Sequence, residues 1–333
     1  MRRKNKVDII VTWVDGSDPA WLNERNKYTS SGDNRNSRYR DWGLMPYWFR
    51  GIEKYAPWAD RIFFVTWGHL PSWLNTDNPR LRIVNHKDYI PAEYLPTFNT
   101  NVIEMNLHRI KDLSENFVMF NDDIFLLDMT SKDFFFKRNK PCDMLALQPV
   151  VANESDNVMP YIYLNNSMIL AKYFSKRQNF LKQPGAYLHI GYPPLYFFYN
   201  ILEMTFPRFT GFYTVHGPAP LKKSFLKMIW EKETYYCERT CRNRFRSAED
   251  VNQYLVREWT KLSGNFIPKN ITKNFSYIGL DGNIDKITDA IRTRKAAIMC
   301  LNDVCSDKDY NNKRDALIRA FDHILPEKSS FEI

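Results

Sequence analysis

The stretch FVMFNDDIFLL, residues 117–127, places two adjacent carboxylates, Asp122 and Asp123, between two apolar runs. A run such as FVMFN reads as a buried strand, yet burying an unpaired carboxylate is costly, and a neighbouring one makes ionisation harder still. The pair therefore belongs at a strand end, facing either water or a cation. Upstream, VDIIVTWV (7–14), RIFFVT (61–66) and LRIVN (81–85) are further short, β-branched or aromatic runs of strand type. Between the first two, Leu44, Trp48, Ile52 and Tyr55 recur at helical spacing, with Asp41 as N-cap and Pro57 as stop. Ahead of the fourth, a helix capped near Asn99 carries Ile103, Leu107 and Ile110 on one face. Strand, helix, strand, strand, helix, strand predicts an α/β fold whose sheet is largely parallel. Ligands of open α/β sheets gather beyond the carboxyl ends of the strands. Asp15-Gly16 follows the first strand and Asn121-Asp122-Asp123 the fourth, so both groups fall on one rim.

Residues 137–210 are less regular. The aromatic, Pro-rich YLHIGYPPLYFFYN (187–200) reads as part of an insertion that forms a cleft or covers the core. GFYTVHGPAPLKKSFLKMIW (211–230) predicts a strand ending at His216, a Gly-Pro turn and a helix. In RSAEDVNQYLVREW (246–259), Ser247 and Asp250 stand in a capping-box-like relation, ahead of an apolar stripe of Val251, Leu255 and Trp259. The end, KRDALIRAFDHILPEKSSF (313–331), predicts an amphipathic helix stopped by Pro326. No internal repeat or low-complexity tract appears.

With 333 residues, 44% of them hydrophobic and 15% aromatic, the chain can bury a sizeable core and is not of disordered composition. A formal charge of +9 suits a polyanionic, phosphorylated or membrane-surface partner. No apolar stretch approaches the ~20 residues of a membrane span. The basic head MRRKNK runs into an apolar part that ends at Asp15 without a cleavage pattern, which argues against a signal peptide. Five cysteines, Cys142, Cys237, Cys241, Cys300 and Cys305, are too few and too odd for a disulfide framework and fit a reducing compartment. A four-thiolate zinc site from Cys237, Cys241, Cys300 and Cys305 has loose spacing, and buried free thiols are the commoner outcome.

The candidate chemistry has bland counterparts. Asp122-Asp123 is either a solvated turn or a hard-cation site, Mg²⁺ being commonly held by one or two carboxylates plus phosphates. Glu104, with His108 one turn on, reads by pattern as a surface pair. His216 at a strand end fits a core histidine equally well. Arg246 immediately precedes the expected helix start, where free N–H groups favour an anion, with Arg239, Arg242 and Arg244 just upstream. A solvated basic loop is the ordinary alternative. No Walker loop, G-x-G-x-x-G, G-x-S-x-G or zinc-hydrolase motif is present.

Taken together, DIIVTWVDGSDPAWL, the segments RYRDWGLMPYWFRGIEKYAPWADRIFFVTWGHLPSWL, LPTFNTNVIEMNLHRI and FVMFNDDIFL, then TVHGPAPL through FRSAEDVNQYL, and finally MCLNDVCSDKDYNNKRDALIRAFDHILPEKSSFE resemble, in order, the four signature regions of the Stealth proteins. Two departures stand out: LMPYWFRG replaces a Leu-[Arg/Lys]-Tyr-Ser-Leu-Arg-Ser type run, and HGPAP carries a single histidine. The resemblance implies a sugar-1-phosphate transferase with a Rossmann-like, glycosyltransferase-A-like mixed-sheet core. It implies a nucleotide-sugar donor, often UDP-linked, a divalent metal (Mg²⁺ or Mn²⁺), and a glycan or lipid-linked oligosaccharide acceptor. Family positions match Glu104, Asp123, His216 and Arg246 as catalytic residues, with Asp123 and Asp122 toward the metal. Trp13, Asp15, Gly16, Arg40, Asn121 and Asp122 fall where substrate would be bordered.

The expectation is therefore a single catalytic domain over 1–333. It divides into a nucleotide-sugar-binding half (7–136), a variable insertion (137–210) and a C-terminal half (211–333) that completes the site. The compact length favours a bacterial capsule or cell-wall enzyme working in the cytoplasm, with peripheral association at the inner membrane face. Two alternatives stand beside this expectation: a metal-dependent glycosyltransferase moving the sugar alone, and a non-catalytic polyanion-binding module. Nucleic acid is not an expected partner.

Overall fold

The computed structural model describes residues 6–28, 36–151 and 157–333; the basic head before Lys6 lies outside them. Strands β1 (Val7–Thr12), β2 (Ile62–Thr66), β3 (Leu81–Asn85) and β4 (Asn116–Asn121) form a parallel sheet in the order β3-β2-β1-β4. An edge strand, Ala219–Lys222, adds antiparallel to β4. Register pairs Ile10 with Phe63 and Met119, and Thr12 with Asn121 at the carboxyl end. The expected α/β class and parallel sheet are observed.

Both sheet faces are covered, as the near-continuous apolar strands require. On one face Ile9, Val11, Phe64, Val118 and Phe120 meet Trp48, Phe49 and Ile52 of helix Met45–Tyr55 and Phe321 of helix Tyr310–Ile324. On the other, Ile10, Phe63, Phe117 and Met119 meet Val102, Ile169, Leu226 and Leu255 from four further helices. Each such side chain stabilises the fold by roughly 1.5–3 kcal/mol of apolar transfer. Ile169 belongs to helix Met159–Tyr173 of the 137–210 segment, so that segment builds core as well as cover.

The stretch 117–127 is divided between two sheets. After Asn121 the chain turns through Asp122-Asp123 and enters β5 (Ile124–Leu126), which pairs antiparallel with Ile298–Asn302 of a second, three-stranded sheet. The two carboxylates occupy the junction.

Four local expectations are corrected. Helix Met45–Tyr55 starts at Leu44 with no side-chain cap; Asp41 instead accepts from the Gly43 N–H at 2.9 Å. Gly43 at φ +67° breaks the path, and Pro46 suits a first helical turn because it lacks an N–H. The strand expected to end at His216 lies beyond the turn, at Ala219–Lys222, where Pro220 is tolerated because the strand is an edge. His216 itself is in a loop. The last corrected helix is Gln253–Leu262, capped by Asn252, which accepts from the Tyr254 N–H. Arg246 therefore sits in the preceding loop rather than against the helix start. Finally, the 137–210 segment is mostly helical, with Met159–Tyr173, Lys176–Lys182, Pro184–Tyr187 and Pro194–Glu203.

Candidate active site

A cleft of about 680 Å³ opens at the carboxyl rim of the parallel sheet. Trp13 enters it from the end of β1, and Asn121, Asp122 and Asp123 from the end of β4. Glu104 comes from helix Thr100–Met105, His216 and Arg246 from separate loops, and Tyr163 from helix Met159–Tyr173. Asn252, Gln253 and Tyr254 bring the start of helix Gln253–Leu262 to the same wall, so Arg246 and that helix terminus share the cleft although they are not adjacent in the chain.

Asp123 and His216 form its centre. The imidazole Nε2 lies 3.2 Å from Asp123 Oδ2, and Nδ1 lies 3.4 Å from the Tyr254 hydroxyl. Burial alone would lower the His216 pKa; the Asp123 charge and hydrogen bond, aided by Glu104, outweigh it and hold the ring above its ordinary value. The Cys300 thiol donates to the same Asp123 oxygen at 3.4 Å. Burial, with Asp123 beside it, pushes that thiol far up, so it is a neutral donor. Asp122 is open to the cleft yet walled by protein. Desolvation first, then Asp123 and Asp41, push its carboxyl up to about 8. Two like charges here resist full ionisation without a compensating cation.

Two acceptor oxygens at this centre, Asn121 Oδ1 and Asp123 Oδ1, are both buried with no hydrogen-bond partner among the described residues. Leaving such acceptors dry costs roughly 1–3 kcal/mol each. Ligand atoms of Asp123, His216 and Cys300 lie within 4.8 Å of one another. Asp122 is not part of that group. The cysteines are all free and buried, and the four once considered for zinc do not gather among the described residues.

Glu104, expected at the surface, is buried, with 6% of its area exposed. Desolvation raises its pKa to about 7; Arg246, His216 and a hydrogen bond from the Gln253 backbone N–H oppose the rise without cancelling it. Arg246 is brought near by Asp250, a buried carboxylate that gathers four donors. Asn99 and Asn101 donate to Oδ2 at 2.8 and 2.9 Å, the Ser247 N–H to Oδ2 at 3.0 Å, and Asn243 to Oδ1 at 2.8 Å. The loop 243–247 is thereby tied to the start of the helix that carries Glu104. Arg246 also donates to the Met159 sulfur at 3.6 Å.

Of the remaining expected residues, Trp13 and Arg40 line the cleft, whereas Asp15 and Gly16 follow Trp13 on the rim and are not among its lining residues. Trp13 packs on Phe64 and His69 and lines the cleft. Asp15 receives the Ser17 N–H and hydroxyl, while its own N–H donates to His69 Nε2 at 2.8 Å. Gly16 lies so close to the Tyr39 carbonyl that a Cβ would come within 2.1 Å of the oxygen. Arg40 lines the cleft with its fork on Asp303, at 2.8 and 2.9 Å, and a further bond to Asp307. Tyr254, Tyr163, Tyr277 and Asp250 carry no site signal in the sequence, and Cys300 offers only a place in a zinc set that does not form among the described residues. They lie on elements distant in sequence, and no local pattern marks them as a group.

Comparison with known proteins agrees with the resemblance. Residues 5–33 match the model of Stealth protein CR1, conserved region 1, and residues 38–143 that of Stealth protein CR2, conserved region 2. The chain is 39% identical to a capsular polysaccharide phosphotransferase WcwK of Streptococcus pneumoniae, over 100% of this chain and 99% of that one. It is 36% identical to a receptor polysaccharide phosphotransferase WefC of Streptococcus oralis, over 99% and 100%. A solved galactosyltransferase LgtC, in complex with donor and acceptor sugar analogues, aligns at TM-score 0.38 and 10% identity over 93% of this chain and 96% of that one, too distant to carry an argument. Matched along its whole length by proteins of this kind, and carrying two conserved regions of the family, the chain belongs to the Stealth proteins.

Proposed function

We propose that this phosphotransferase moves hexose-1-phosphate from a nucleotide-sugar, UDP-linked by preference, onto a glycan hydroxyl. The product is a phosphodiester in capsule or cell-wall polysaccharide, and the nucleoside monophosphate is released. One observation carries the reading: Asp123–His216, Glu104 and Arg246, from four separate chain segments, converge on one cleft at the sheet rim. Attack of the acceptor oxygen on the sugar-side phosphorus forms a P–O bond and breaks the bridge to the nucleotide's phosphate. The electron pair leaves with the monophosphate, and the acceptor proton goes to a base.

Glu104, poised at about 7 in its buried seat, has the pKa of an efficient general base near neutrality. His216, held by Asp123 on one nitrogen and Tyr254 on the other, supplies positive charge beside the phosphoryl oxygens. Arg246 supplies a planar cation for the same oxygens. Asn121 and Asp123, with their unpartnered oxygens, would hold Mg²⁺ or Mn²⁺. Such an ion, when bound, neutralises diphosphate charge. Trp13 and Asp15 border the nucleotide, and the acceptor is a glycan or lipid-linked oligosaccharide.

No helix among the described residues is long and apolar enough to cross a membrane. The enzyme works in the bacterial cytoplasm, and its net charge of +9 favours peripheral association at the inner membrane face. Donor labelled in the sugar-side phosphate tests the chemistry. Label following the glycan supports phosphate transfer, and label in released nucleoside diphosphate overturns it in favour of glycosyl transfer.

A further inference from the structure

Helix Pro194–Glu203 is built inside out. Its buried side is polar: Asn200 is fully enclosed, donating to the Leu145 and Tyr187 carbonyls and accepting the Leu147 N–H at 2.7 Å. Glu203, one turn on, is equally buried and pairs with buried Lys176 at 3.0 Å. The opposite side shows solvent Leu195, Phe198, Ile201 and Leu202, with Phe198 66% and Leu202 59% exposed. Their three- and four-residue spacing sets them along one face. Surface helices of water-soluble proteins have the reverse arrangement. Flanking the helix, Ile190 is 98% exposed, and Phe206 is exposed beside Lys176.

The charge around this face is one-sided. Between residues 157 and 230 the chain has eight lysines and arginines and a single acidic residue, Glu203, which is buried and already paired. Arg177, Lys182 and Arg208 are exposed; the Arg208 carbonyl receives the Lys176 ammonium that also binds Glu203, which ties Arg208 and the start of helix Lys176–Lys182, with Arg177 next to Lys176, to the end of helix Pro194–Glu203. A second copy docking through the same face would set these cations against their own equivalents, because a two-fold interface apposes like to like. An anionic bilayer has the opposite charge and an apolar interior. Ten residues cannot span it, but a short helix with an apolar face can lie along its boundary.

We infer that helix Pro194–Glu203 and its basic surround form a bilayer-docking surface, which lays the apolar face into the headgroup boundary of an anionic membrane while Arg177, Lys182 and Arg208 contact the lipid phosphates. Binding comes from apolar insertion as well as from net charge, and another helix of the same 137–210 segment, Met159–Tyr173, lends Met159 and Tyr163 to the active-site cleft. The inference is independent of the transfer chemistry, because it is measured without donor or acceptor.

The test is co-sedimentation of the full chain with vesicles of phosphatidylcholine alone and of phosphatidylcholine with phosphatidylglycerol. Wild-type protein is expected to sediment with the anionic vesicles and at least tenfold more weakly with the neutral ones. Phe198→Ser/Leu202→Ser should weaken anionic-vesicle binding at least tenfold with an unchanged melting temperature, since both side chains are exposed. Arg177→Glu/Arg208→Glu, which leaves the apolar face intact, should weaken it as well and provides the check if the serine variant does not fold. Three results would each overturn the inference: no vesicle binding by wild-type protein, equal binding by wild type and variants, or a solution dimer abolished by the serine pair without any vesicle binding.

Discussion

Asp123 on the β4–β5 turn and His216 on the loop ahead of the edge strand meet at 3.2 Å, although 93 residues separate them in the chain. The contact joins the carboxyl rim of the parallel sheet to the C-terminal half. It raises the histidine's pKa while leaving Asp123 Oδ1 buried and without a hydrogen-bond partner among the described residues.

Asp123→Asn should abolish turnover with little change in melting temperature, since a residue at a strand end adds little packing. It should also lower the His216 pKa, read from the imidazole C–H resonances against pH. The sign follows from the pair. His216 is raised above 6.5, so its stabilisation is full below that value and is lost as pH rises through the folded-state pKa. An unchanged His216 titration in the variant would break the proposed coupling. Excess EDTA should stop wild-type turnover, with Mg²⁺ or Mn²⁺ restoring it.

Glu104→Gln should separate stability from activity. The wild-type carboxyl is raised from 4.5 to about 7, so the unfolded chain releases its proton first and stability falls as pH rises across that window. The glutamine variant should lack this decline and be more stable at pH 8 by at most about 3 kcal/mol. Its turnover should drop and its acid-side rate limb disappear. Urea titrations at pH 5 and pH 8 give the first comparison, and pH–rate profiles the second.

Arg246→Lys keeps the charge but loses the planar fork. The expected result is a fall in kcat of at least ~10²-fold, the scale for removing one transition-state donor. If Arg246→Ala altered only KM and its salt dependence, the residue would be a steering charge.

Asp250→Ala should destabilise the fold by about 3 kcal/mol or more, because Asn99, Asn101 and Asn243 lose the acceptor that gathers them. Activity should fall further than folded fraction alone accounts for, as the loop bearing Arg246 loosens. Asp250→Asn keeps an acceptor oxygen and should recover part of both losses. Equal specific activity of folded Asp250→Ala and wild type would show that the clamp has no positioning role.

Local pattern alone revealed the four parallel strands, the cap at Asn99, the C-terminal helix and the shared rim of Asp15 and Asp122-Asp123, because hydrophobic period and turn chemistry act over a few residues. It misplaced the strand near His216, since Pro218 and Pro220 are turn signals that an edge strand nonetheless accepts once β4 supplies the ladder. It set Arg246 against a helix terminus because Ser247 and Asp250 stand in a capping-box-like relation; Asp250 does accept the Ser247 N–H, but it also binds asparagines about 150 positions upstream in sequence, and the helix starts only at Gln253. Glu104 looked like a surface residue because helical spacing states only which side faces away from one core. That side is here covered by helix Gln253–Leu262 and the 243–251 loop. The strand order's rim and its acidic residues belonged to the sequence. The groups that surround those residues, His216, Arg246, Tyr254 and Cys300, are brought in only by packing across the two sheets, because desolvation and charge coupling depend on distance in space and not on distance along the chain.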